Sequence, residues 1–134
     1  MANAGDYYIV TLDYAHLGWG TYRHTASRPP IEGERYLPIP KYDATRLNIF
    51  NSNATGGRDV FGSNLFNCRS RDGSFTAVLK AQGCSQAGDR YAKQFSVNND
   101  LRALKEWYDN VGAAPGDRVK VFWDSPTDIV IELL

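Results

Sequence analysis

Two runs of strand-forming residues, Leu65-Phe-Asn-Cys-Arg-Ser70 and Ser74-Phe-Thr-Ala-Val-Leu-Lys80, flank Arg71-Asp72-Gly73. Asp-Gly between such runs is the strongest short-range hairpin signal, because a tight turn needs positive φ and these residues accept it. Phe75, Ala77 and Leu79 then share one face of the second strand, and Thr76, Val78 and Lys80 share the other. The same pattern recurs along the chain. Residues 7–12 read as a first strand, rich in aromatic and β-branched side chains. Residues 35–39 read as a second, with Pro38 marking an edge or an early end. In 90–96, Tyr91, Lys93 and Phe95 alternate with Ala92 and Gln94. Val119, Val121 and Trp123 face one side of a penultimate strand, and 129–133 close the series.

Helical signals are fewer. Residues 41–49 hold one or two turns with Ala44, Leu47 and Ile49 inward. Asn99 or Asp100 can cap a helix whose stripe is Leu101, Leu104, Tyr108 and Val111, with Gly112 just past its end. Residues 51–57 are turn-forming throughout, since Asn and Gly tolerate positive φ. Many short strands with Gly/Pro turns predict a barrel or sandwich. The 134 residues suit one domain, 1–134, large enough for its own core.

No apolar run approaches the ~18 residues that a membrane span needs. The first residues carry no signal-peptide pattern. Cys68 and Cys84 make no metal or redox spacing, so two reduced thiols and a cytoplasmic location are expected. The formal net charge is zero, with 15 cations against 15 acids, which counts against a nucleic-acid partner. The distribution is polarised, however. From Arg69 to Lys93 there are five cations and two acids, and from Asn98 to Leu134 four cations and seven acids. From Tyr14 to Arg28 there are two arginines, two histidines and three aromatics, with no carboxylate. Cationic, aromatic loops on a rigid β scaffold are suited to gripping an anionic polymer.

Catalytic patterns are missing. His16 and His24 make no zinc pair with each other or with the thiols. There is no nucleophile elbow, phosphate loop or dinucleotide fingerprint. A metal-dependent nuclease core would need acids and a lysine on adjacent strands, and neither candidate strand supplies the set. The reading is a non-enzymatic domain without metal or cofactor.

Arg35-Tyr-Leu-Pro-Ile-Pro-Lys-Tyr-Asp-Ala44 resembles the "Arg, apolar, Ile-Pro-Lys, x, x, Ala" signature of the B-three DNA-binding domain. Leu101 … Trp107-Tyr108 … Pro115-Gly-Asp-Arg-Val-Lys-Val-Phe122 resembles that family's closing "Leu-x-x-Gly-Asp-x-Val-x-Phe" stretch, with the Phe one position later here. The family includes plant transcription factors and the recognition domains of some bacterial restriction endonucleases, and the character here is nearer the latter. The resemblance implies a mainly β fold, a seven-stranded open pseudobarrel with one or two short helices. It also implies two arms that grip the major groove of double-stranded DNA. By position the N-arm matches 19–28 and the C-arm matches 82–94. In the N-arm, Trp19, Tyr22, Arg23, His24 and Arg28 become the expected contacts. In the C-arm they are Gln82, Ser85, Gln86, Arg90, Lys93 and Gln94. Arg69 and Arg71 belong to the same basic stretch, and Asn51 and Asn53 could form a third contact loop. Arginine can read guanine bidentately, and Gln or Asn can read adenine; Lys and Ser position the phosphates. Trp107 and Trp123 are expected in the core. The implied role is the specificity module of a bacterial restriction or related defence system, monomeric as an isolated domain, with a nuclease domain or subunit as effector. The alternative is a β-barrel for protein interaction or small-ligand capture without nucleic acid.

Overall fold

The computed structural model describes residues 2–13, 35–52, 58–83, 90–98, 100 and 103–134. Along them run β1 (Tyr7–Thr11), β2 (Leu37–Pro38), α1 (Lys41–Arg46), β3 (Leu65–Ser70), β4 (Thr76–Gln82), β5 (Gln94–Val97), α2 (Ala103–Val111), β6 (Arg118–Ser125) and β7 (Asp128–Leu133). The strands form one sheet in the order β1-β6-β7-β3-β4-β5-β2. β3 and β7 pair in parallel; the other neighbours are antiparallel.

β1 and β2 stand at opposite ends of this order, yet they meet. Tyr8 Oη donates to the Pro38 carbonyl at 3.0 Å, and an Arg46 Nη2 of α1 donates to the Tyr7 carbonyl. The sheet is therefore curled into a nearly closed barrel. Burial pushes the Tyr8 phenol well above its ordinary pKa, so it stays a donor across the seam. Tyr8→Phe is expected to lower stability by ~1 kcal/mol, the usual worth of one such bond. Denaturant unfolding checks this; an unchanged midpoint would mean that packing alone closes the seam.

Aromatic rings fill the interior. Trp123 of β6 lies against Tyr8 at 6.1 Å and edge-on to Phe66 of β3 at 5.9 Å; Phe66 in turn meets Phe95 of β5 at 5.6 Å. Such tilted and edge-to-face contacts suit the ring quadrupoles. Val119, Val121 and Trp123 are all buried, as their alternation predicts. The α2 face of Leu104, Trp107 and Tyr108 is buried too. Trp107 meets Phe75, and Tyr108 Oη donates to the Tyr36 carbonyl. Gly112, at φ +65°, ends α2. Its N–H reaches the Asp109 carbonyl and that of Ala113 the Tyr108 carbonyl, the paired bonds of a Schellman cap. Leu101 and Asn99 lie outside the described residues.

The expected hairpin forms around Gly73, at φ +79°. Asp72 Oδ1 accepts from Ser70 Oγ, Ser74 N and Ser74 Oγ, and the Ser70 bond leads in holding this carboxyl below its ordinary pKa. Ala44, Leu47 and Ile49 point inward as expected. Two strands are shorter than the sequence predicts. β2 spans Leu37–Pro38 and occupies a sheet edge, where a residue without an N–H is tolerated. The strand expected over 90–96 begins only at Gln94. The reason is that 90–93 bonds to three different segments. Ala92 N reaches the Ile49 carbonyl, Lys93 N the Gln82 carbonyl, and the Lys93 carbonyl accepts from Ile39 N. The predicted alternation fails there, with Ala92 buried and Lys93 exposed.

Candidate nucleic-acid interface

Of the expected contacts, Trp19, Tyr22, Arg23, His24, Arg28, Asn53, Ser85 and Gln86 lie outside the described residues. Asn51, Arg69, Arg71, Gln82, Arg90, Lys93 and Gln94 are described, and they fall into two groups.

The first group surrounds the ends of β4 and β5. Gln82 and Gln94 face each other in register. Both are half-buried, and Gln82 Oε1 accepts from Ser96 Oγ at 3.0 Å. Lys93, one residue before β5, is exposed. Arg90 is exposed as well, and its guanidinium lies 5.3 Å from the Phe50 ring centroid and 5.7 Å from that of Tyr91. Those two rings stack at 5.7 Å, and their backbones form an antiparallel bridge. Among the described residues Arg90 makes no ion pair. The stacked rings hold the guanidinium itself, a cation that no carboxylate neutralises among the described residues.

Asn51 underlies this cluster. It was expected as a surface contact, but it is fully buried, 0 % exposed. Its N–H donates to the Arg90 carbonyl, and its Oδ1 accepts from Gly83 N, both at 2.9 Å. A Cβ placed on Gly83 would lie 2.8 Å from Asn51 Nδ2. Asn51 thus ties the residue that follows β4 to Arg90, across the two strand ends. The correction has a physical reason: a buried amide can satisfy a backbone donor and pack at once, which an asparagine in a polar run does not announce. Phe50, Gly83 and Asn51's bracing role were not anticipated. The one available cue was the aromatic residue directly before the polar run.

The second group is elsewhere. Arg69 pairs with Asp124 at 2.8 Å, and Arg71 with Glu132 at 3.2 Å. Arg69 stands opposite Thr76 of β4. Gln82 lies six residues further along that strand, ~20 Å at the usual strand rise. The structure therefore does not bring Arg69 and Arg71 together with Arg90. Each arginine faces a carboxylate that the sequence places 55 or 61 residues away.

Cys68 is a free, buried thiol, and burial pushes its pKa up to about 12, so it remains protonated. Among the described residues no group of three or more His, Cys, Asp or Glu could hold a metal. No helix there is long and apolar enough to cross a membrane. No family model, curated protein or solved structure matches this chain.

Proposed function

We propose that this chain is a sequence-specific recognition module for double-stranded DNA. The segments linking β1 to β2 and β4 to β5 act as two arms in the major groove. The observation that carries the reading is Arg90, a guanidinium braced on Phe50 and Tyr91 that makes no ion pair among the described residues. It sits near the exposed Lys93 and the facing amides of Gln82 and Gln94. Cation for phosphate or guanine, and amide for adenine, are the residue types that such a contact needs. The seven-stranded, nearly closed sheet with two short helices is consistent with an open pseudobarrel, and the resemblance of Arg35–Ala44 to the family motif supports the same reading. Arg23, His24 and Arg28 supply the matching chemistry in the first arm. The role is the specificity module of a restriction or related defence system, with cleavage on a separate domain or subunit.

Selection from a random duplex pool, with and without modified cytosine, followed by titration at several salt concentrations, tests the proposal. Log affinity should fall linearly with log salt, by ~0.9 per phosphate contact. Arg90→Ala, Arg23→Ala or Arg28→Ala should reduce that slope by about one if the residue meets a phosphate. If it reads guanine, preference should relax at one base pair, at a cost of ~1–3 kcal/mol. Salt-independent or absent binding to cognate and random duplexes would leave a barrel for protein or small ligands.

A further inference from the structure

The outer face of the sheet formed by β1, β6, β7 and β3 carries a second surface, independent of the DNA reading. Strand register lays its residues out in rows. Tyr7 faces Phe122, Phe122 faces Val130, and Val130 faces Arg69. In the next row Ile9 faces Lys120, and Lys120 faces Glu132. Their strand neighbours Tyr8, Val121 and Ile131 are buried in the barrel, so these rows look outward by strand alternation. The result is an open groove of about 350 Å³, floored by Phe122 and Val130. It runs toward Tyr7 and Ile9, large apolar side chains that are 49 % and 41 % exposed.

The charges along the groove differ in one respect. Asp124 is held by Arg69 and Glu132 by Arg71, each as an ion pair. Among the described residues Lys120 has no carboxylate partner. Its Nζ sits 4.8 Å from the Tyr7 ring centroid and 5.8 Å from that of Phe122. Among the described residues the groove thus presents one uncompensated cation between two aromatic faces, directly beside an apolar floor. With Arg69 and Arg71 answering Asp124 and Glu132, the lining holds three cations against two carboxylates, 3 − 2 = +1, which suits a single carboxylate better than a run of phosphates.

We infer that this groove docks an extended segment of a partner protein bearing an Asp or Glu next to a bulky apolar residue. The carboxylate pairs with Lys120, and the apolar side chain covers Phe122 and Val130. Aromatic floor and paired-charge rim are the ordinary anatomy of a protein contact. Charge complementarity at Lys120 sets the sign of the partner.

The probe is a displayed library of random heptapeptides, panned against the parent protein with K120E and K120Q as counter-selections. Melting curves first establish that both variants fold. Enriched sequences should place Asp or Glu within two positions of an aromatic or long aliphatic residue. Synthetic peptides made from them should bind at least tenfold more weakly to K120E than to the parent, with K120Q between. Amide shifts should map to 118–124 and 128–133, and random duplex DNA should not compete. Enrichment that is equal on the variants, or that favours basic peptides, would overturn the inference. So would loss of duplex DNA binding in K120E, which would assign this face to nucleic acid. Failure of the DNA proposal alone would leave peptide binding unchanged.

Discussion

Trp123→Ala is expected to destabilise the protein by ~3–5 kcal/mol, the range for truncating a buried large aromatic. Trp123 is 0 % exposed and stands between Tyr8 and Phe66, so its ring links β1, β6 and β3 through the barrel interior. Among the described residues its Nε1–H has no hydrogen-bond partner. The loss is therefore apolar burial plus the cavity left behind, with no hydrogen bond to subtract. Trp123→Phe should cost much less than the alanine change. It keeps most of the apolar volume and removes a buried donor that has no acceptor. Equilibrium unfolding of the two variants decides this. A loss below ~1.5 kcal/mol in Trp123→Ala would mean that the barrel collapses onto the vacated space or that Trp123 is peripheral to it.

Gly83→Ala is the second large effect, and it acts on the candidate interface. The new methyl would meet Asn51 Nδ2 at 2.8 Å and Asn51 Cγ at 3.2 Å. Asn51 has little room to swing aside, because it is fully buried and its side-chain Oδ1 accepts from Gly83 N. Overpacking of this kind costs ~1–3 kcal/mol. Asn51→Ala removes the acceptor of Gly83 N and is expected to cost a similar ~1–3 kcal/mol. The two changes should not add. With Asn51 shortened, the methyl on residue 83 has room, so the double variant should be more stable than the sum of the singles by ~0.5–3 kcal/mol. If DNA is the ligand, Gly83→Ala should also weaken binding, because Asn51 bonds to both Gly83 and Arg90. Additivity within ~0.3–0.5 kcal/mol in unfolding experiments would show that the two residues act separately.

The parts of this protein written in its sequence are those with a local period or a local turn. Asp72-Gly73 sets a hairpin because a few consecutive residues decide whether the chain can reverse. Val119, Val121 and Trp123 alternate, and Leu104, Tyr108 and Gly112 mark a helix face and its end; each pattern is complete within one element. The mainly β class and the pair of short helices follow from such signals. Sheet order does not. Nothing near β3 states that it pairs in parallel with β7, or that Tyr8 closes the barrel on Pro38. Those partners are chosen by which buried faces fit together across long stretches of chain. The same limit governs the candidate surfaces. Arginines at 69, 71 and 90 look alike in one dimension. Folding sets two of them against carboxylates on β6 and β7 and the third on a pair of aromatic rings. Asn51 reads as a turn residue among other polar residues, yet it becomes a buried strut because Gly83 leaves room for it. A side chain's type is local, but whether it meets water, a counter-charge or a backbone donor depends on distant residues, and tertiary packing alone decides that.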